Sequence, residues 1–280
     1  MKLRKTARNV LKFGSLHLLF ITVCFIALVP IIYALAISFS GTTNLTGGIF
    51  AITDFTFDNY LHIFTELDFG TWLGNSLILS LSTVLVTVIP SAFAAYAFAT
   101  MSFRGKKVLL FTLLILNAFP QVLTMTALFA LLRNTHLLNT RIALILVYSG
   151  SNSIFAFFNL KGYFASIPAS ISEAATIDGA RRPEILFKVV LPLARPAIIV
   201  TSILVFINCW NEYLFASTFL TGKDLYTLAS GLYALQSNNL ARNWPQFAAA
   251  SLFISLPVLV VFFLMQRYMV SGLTAGGVKE

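Results

Sequence analysis

Charge is scarce in this sequence. Only 10 % of its 280 residues are Asp, Glu, Lys or Arg, against about a quarter in soluble domains. With 58 % hydrophobic residues and a mean hydropathy of +0.85, that excludes an ordinary soluble domain. Cysteine is rare too. Cys24 and Cys209 both lie in apolar runs and read as small buried hydrophobes rather than a disulfide or redox pair. The three histidines, His17, His62 and His136, are scattered and make no metal-binding spacing. No G-x-x-x-x-G-K-[ST] phosphate loop is present, so the chain is not expected to hydrolyse ATP itself. No G-x-S-x-G serine and no dinucleotide fingerprint occur either, Gly150, Gly179 and Gly272 standing apart. With no catalytic constellation and no cofactor or metal site of its own, the chain reads as a pathway: a channel, a carrier or a transporter subunit.

What is present is apolar sequence in long runs. A membrane-crossing helix needs about 20 mostly apolar residues, and six stretches qualify: 16–38, 72–98, 108–132, 142–160, 197–219 and 247–266. None alternates with the period of a barrel strand. The expected fold is all-α, a polytopic membrane bundle of six transmembrane helices. The basic start, MKLRKTARNVLK, precedes an apolar run longer than the roughly 7–15-residue core of a signal peptide, so the run reads as a retained span. Segments 1–15, 99–107, 161–196 and 267–280 hold fifteen of the nineteen Lys and Arg; 39–71, 133–141 and 220–246 hold four. The basic side is the cytoplasmic one, which puts both termini inside. The same rule accounts for the net charge of +9 without nucleic acid. The domain reading is a basic segment 1–15, a transmembrane domain 16–269 and a cytoplasmic tail 270–280.

The fifth run contains FINCWNEYLFA. An acid inside a span is costly and often functional. Asn208 and Glu212, four apart, share a helix face, with Asn211 beside them. Two readings stay open: a polar patch on a water-filled pathway, or a carboxylate that caps or pairs with a neighbouring helix. Trp210 and Tyr213 suit an interfacial belt better than a sugar-stacking surface. On the outer side, Leu225, Leu228, Leu232 and Leu235 recur at helical spacing and predict a short amphipathic surface helix.

Between the fourth and fifth runs lies EAATIDGARRPEILFKVVLPLARP, Glu173 to Pro196. Ser170 and Glu173 have the spacing of a capping box, predicting a helix from Ile171. Gly179 suits its left-handed end. Arg182 before Pro183 is expected extended, with Pro183 opening a second helix. Leu186, Phe187, Val189, Val190 and Leu191 give that helix an apolar face. Pro192 bends the chain and Pro196 opens the fifth span. The result is a two-helix projection on the cytoplasmic side, with the small residues Ala174, Ala175 and Ala180 on its first helix and the acids Glu173 and Asp178 open to ion pairing. A plug for a partner's socket is favoured over an ordinary interfacial loop.

The spacing Glu173-Ala174-Ala175, three residues, Gly179, nine residues, Val189, one residue, Leu191-Pro192 resembles the EAA loop of importer-type ABC permeases over all twenty positions. WNEYLFA at 210–216, LMQRYMVSGLTAGGVKE at 264–280, NSLILSLSTVLVTVIPSAFAAYAFA at 75–99 and KGYFASIPASISEAA at 161–175 resemble permeases of carbohydrate importers. The tail is similar to the maltose/maltodextrin MalG type. The resemblance implies a second homologous permease subunit, two ATPase subunits that use ATP and Mg, an extracellular solute-binding protein and a carbohydrate substrate. It implies a coupling loop at 168–196 that docks in the ATPase through Glu173, Ala174, Ala175, Asp178, Gly179, Ala180, Leu191 and Pro192. It further implies a tail that reaches the ATPase, with Gly272, Gly276 and Gly277 allowing close approach. It does not carry sugar contacts onto Asn208 or Glu212. The alternatives are an ion-coupled secondary transporter acting alone, with Glu212 as its ion site, which inverted hydropathy repeats and broken helices would support and the sequence does not display, and a membrane anchor or sensor for an ATPase.

Overall fold

In the computed structural model, residues 2–41, 54–237 and 243–275 are described, with side chains for 13–41, 54–236 and 243–266. Among these residues the regular structure is helical, with one isolated bridge between Ser40 and Phe55. Four helices are long and apolar enough to cross a membrane: within α1 (Lys2–Ser38), α3 (Phe69–Thr100), α6 (Arg141–Ser166) and within α13 (Trp244–Ala275). Two bent pairs would bring the count to six. α1 runs without a break from Lys2 in the basic segment 1–15 into the first span.

The chain divides into two compact units. In the first, residues 1–68 and 234–255, a short helix α2 (Asp58–Thr65) closes onto the end of α1. The buried Asn59 amide donates to the carbonyls of Ser38 and Ser40 at 3.0 and 2.9 Å. Tyr60 and Ser38 hydroxyls meet at 2.6 Å. Phe39 stacks on Phe55, and Phe253 packs edge-on to Tyr60 and Phe64. Over its most apolar stretch α1 buries nothing, which suits a helix meeting lipid or another subunit.

In the second unit, residues 69–233 and 256–280, the core is made by α3, α6 and α10 (Arg195–Asn211). Ala92, Ala95, Ala143 and Ala156 are buried there. Lipid gives no hydrophobic drive between helices, so close approach through small residues has to supply the packing. Polar links add to it: Asn159 donates to the Thr201 hydroxyl at 2.7 Å and Ser91 to the Ser153 carbonyl at 3.3 Å.

The run 108–132 is not one straight helix. It is α4 (Lys106–Ala118), a 3-10 turn Gln121–Thr124 and α5 (Met125–Asn134), bent by 89°. Pro120 explains the break. It has no amide to continue the ladder, and it holds Phe119 extended at φ −76°, ψ 129°. At 13 residues, α4 is about 20 Å long, too short alone for a ~30 Å hydrocarbon core. The fifth run is interrupted as well. α10 ends at Asn211, Glu212 is extended, and α11 (Leu214–Phe219) follows. Asn208 and Glu212 therefore do not share one continuous helix face. The predicted outer helix exists as α12 (Leu228–Ser237), with Leu225 in a separate 3-10 turn. Leu228 is fully buried, so that segment is packed in rather than lying on the surface.

Candidate functional site

Two places gather the predicted residues. The first is the loop after α6. Its first helix is α7 (Ala169–Ile177), entered from Pro168 at φ −57°, ψ 131°. This corrects the expected capping box. Ring closure at Pro168 sets the turn into the helix, Ser170 is already helical, and no side chain caps the start. The C-terminal end is as the glycine predicts. Gly179 sits at φ +85°, with its N–H on Thr176 O and that of Ala180 on Ala175 O, both at 3.0 Å. Those two bonds close a Schellman motif, which requires the left-handed residue.

The second helical piece runs from Arg182 to Leu193 in three parts: α8 (Arg182–Glu184), a π-helical stretch Ile185–Val190 and α9 (Leu191–Leu193). The extended residue is Arg181, not Arg182, so the helix begins one residue before Pro183. The capping acid of this loop is Glu184. Its carboxylate accepts the Arg181 N–H at 3.0 Å and the Lys188 ammonium at 3.0 Å. The Arg181 amide, then the Lys188 cation, hold the Glu184 carboxyl below its ordinary range. The sharp turn, 72°, comes after Leu193 rather than at Pro192. Around Pro192 the chain changes register through the π stretch, which accommodates the missing amide.

The eight motif residues separate into two sets. Ala175, Ala180 and Leu191 are half-buried against the core, and Pro192 is half-buried beside them. Glu173, Ala174, Asp178 and Gly179 are exposed. With them stands Ile177, whose side chain is 86 % exposed at the tip of α7. Sequence reasoning missed Ile177, although an isoleucine beside Asp-Gly in a water-facing turn is a signal. Glu173 and Arg182 also line a cavity of about 710 Å³ bounded by the C-terminal ends of α3 and α6.

The second place lies where both broken helices meet α6. Gln121 after the first break, Asn208 and Glu212 at the second, and Tyr148, Ser151 and Asn152 of α6 line a cavity of about 340 Å³. Asn117, Cys209 and the rings of Phe155 and Phe215 complete the lining. Glu212 is tied on three sides. The Tyr148 hydroxyl donates to it at 2.6 Å, and the N–H groups of Phe215 and Ala216 donate at 2.8 and 3.2 Å. Glu212 thus caps α11, the second of the two readings left open by the sequence, and also lines the cavity. Asn208 donates to Asn152 Oδ1 at 3.2 Å, and Asn152 donates to the Tyr148 carbonyl at 2.9 Å. Asn211 is exposed and does not line the cavity. Cys209 does, as a buried thiol. Tyr148, Ser151 and Asn152 were missed, though YSGSNS in mid-span is a legible polar interruption. Trp210 is buried against Phe206 rather than belted at an interface, whereas Tyr213 is exposed and rests on Tyr233.

The predicted tail is only partly described. Gly272 lies within α13, which extends to Ala275; Gly276 and Gly277 fall outside the described residues.

Residues 91–274 match the family described as binding-protein-dependent transport system inner membrane component. The chain is 35 % identical over 282 residues to the galactooligosaccharides transport system permease protein GanQ of Bacillus subtilis, covering all of this chain and 98 % of that one. It is 34 % identical to the trehalose/maltose transport system permease protein MalG of Thermococcus litoralis, covering 92 % and 94 %. Among solved structures it is similar to a bacterial ABC transporter involved in the import of the acidic polysaccharide alginate, with TM-score 0.76, 26 % identity and coverage of 91 % and 96 %.

Proposed function

The chain belongs to the binding-protein-dependent transport system inner membrane components, and we propose that it is the permease subunit of an ATP-driven importer of oligosaccharides, with maltodextrin among the candidate sugars. A permease component of this kind is a multi-pass protein of the cell membrane without an ATPase site of its own. In the proposed assembly it forms half of the pathway beside a second homologous permease. Two ATPase subunits, using ATP and Mg, act from the cytoplasmic side, and an extracellular solute-binding protein delivers the sugar. Both termini and the 168–196 loop lie inside, as the distribution of Lys and Arg requires. The C-terminal end from Gly272 onward, with Gly276 and Gly277, reaches the ATPase.

The observation that carries this reading is the tip of α7. Ile177 presents apolar surface to water, with Glu173, Ala174 and Asp178 exposed on the same helix. The ends of that helix are fixed by Pro168 and by the Gly179 turn. An exposed apolar tip on a braced helix is a seat for a protein partner and can pass a push inward. Glu173, Ala174, Asp178 and Gly179 are its outward contacts, while Ala175, Ala180, Leu191 and Pro192 anchor it to the bundle. Because Ile177 buries almost nothing in this chain, Ile177→Glu should leave folding and membrane insertion intact. It should lower ATP-driven uptake in reconstituted vesicles by about tenfold or more, through loss of hot-spot burial of about 1.4 kcal/mol or more. Undiminished uptake would remove this contact from the mechanism.

The two broken spans are the observation that favours ion-coupled transport by the chain alone. Glu212, its expected ion site, is engaged by three donors of the chain itself. Uptake by the purified chain under a proton gradient, with no ATPase present, would establish that alternative.

A further inference from the structure

The cavity between the two helix breaks has a one-sided charge. Glu212 is the only formally charged side chain among the described residues that line it; none there is Lys, Arg or His. Its other polar groups are the amides of Asn117, Gln121, Asn152 and Asn208, the hydroxyls of Tyr148 and Ser151 and the Cys209 thiol. Amides and hydroxyls both donate and accept, as sugar hydroxyls do. Phe155, partly exposed, adds aromatic surface against which the C–H face of a sugar ring can pack. A carboxylate, sulfonate or phosphate on a sugar needs the opposite equipment, a cation or a fork of guanidinium donors. Here it would meet the Glu212 carboxylate at short range with no counter-charge supplied by this chain. The donors that could offset an anion, Tyr148 O–H and the N–H groups of Phe215 and Ala216, are already on Glu212.

We infer that this cavity is a selectivity site for uncharged, hydroxyl-rich saccharides, and that it disfavours uronate, sulfonated and phosphorylated sugars. The inference rests on the reading of the cavity as part of the transport pathway. Family membership does not decide it, because similar proteins are named for neutral and for acidic saccharides alike.

Charged thiol reagents of equal size test it. In a Cys24→Ser, Cys209→Ala background of the full chain, assembled in membrane vesicles, Ser151→Cys is the reporter. Its rates with a cationic and an anionic methanethiosulfonate are compared with the same pair of rates for a free thiol in solution. A unit charge nearby at intermediate dielectric is worth about 1 kcal/mol, attractive for the cation and repulsive for the anion, so the cationic preference should exceed that of the free thiol by about thirtyfold at low salt. It should return to the free-thiol ratio in Glu212→Gln. A ratio equal to the free thiol's, or one that favours the anion, overturns the charge selectivity and leaves the pathway reading standing. No reaction with either reagent means a closed, dry cavity and overturns the pathway reading as well. Should Glu212→Gln fail to assemble, the ratio at Ser151→Cys still decides.

Discussion

Glu212 is held by donors of its own chain, and that sets what it can do. Its two oxygens accept from a phenol 64 positions away and from two consecutive amides at the start of α11. Phe215 and Ala216 are buried, so without the carboxylate their N–H groups would lose an acceptor away from water. Glu212→Ala should therefore cost about 2–3 kcal/mol of stability, and Tyr148→Phe about 1–2 kcal/mol, because it removes one bond and leaves the two amides satisfied. Thermal unfolding in detergent measures both. A Glu212→Ala protein that melts like the wild type would mean that α11 does not need its cap. The same geometry explains why an acid persists in an apolar run: its full set of donors comes with it.

At the scale of elements, the 168–196 loop is two braced pieces, and its second piece carries a pH signature. The Glu184 carboxyl is held below its ordinary range, chiefly by the Arg181 amide and then by Lys188. A carboxylate depressed by folding contributes stability above its unfolded value and loses that contribution as the pH falls through its folded value. Glu184→Ala should therefore melt lower than the wild type at neutral pH. The gap should close as the pH drops through the carboxyl range, and a gap independent of pH would contradict the assignment. Much of this loop is legible in sequence. Gly179 and the Pro183 restart follow from backbone chemistry within a few residues, and so do the helices they bound. Glu184 is not legible, because its partner is an arginine amide and a capping box is recognised by Ser or Thr. The two breaks differ in the same way. Phe119-Pro120 announces its break locally, yet hydropathy alone reads 108–132 as one span because a bend changes no composition. The break at Glu212 has neither glycine nor proline. Its Glu212 is held by the nearby amides of Phe215 and Ala216 and by Tyr148 on another helix, and that last contact, over 64 positions, has no local signature. The cavity was half visible for that reason: Asn208 and Glu212 stood out one by one, while α6's contribution needed the fold.

At the scale of the second unit, a clasp and the 168–196 loop occupy opposite ends of the same helices. Near the start of α3, the buried Asn75 accepts from Arg141 Nε at 3.0 Å. It donates to the carbonyls of Asp224 and Tyr226 at 2.8 and 2.9 Å. One amide thus ties the beginnings of α3 and α6 to the segment before α12. α3 has 32 residues, about 48 Å, so this clasp is far from the 168–196 loop. Small buried residues pack α3 against α6 and α10 along the way, and a close-packed interface shifts as a body rather than bending locally. Motion driven at α7 should therefore arrive at the clasp, and the clasp should matter for transport without mattering for ATPase docking. Asn75→Ala removes three hydrogen bonds and should cost about 2 kcal/mol. It should lower uptake in reconstituted vesicles severalfold while the ATPase still co-purifies at wild-type yield. If ATPase binding falls in step with uptake, the damage has spread through the unit, and the two ends are not separable parts of one lever.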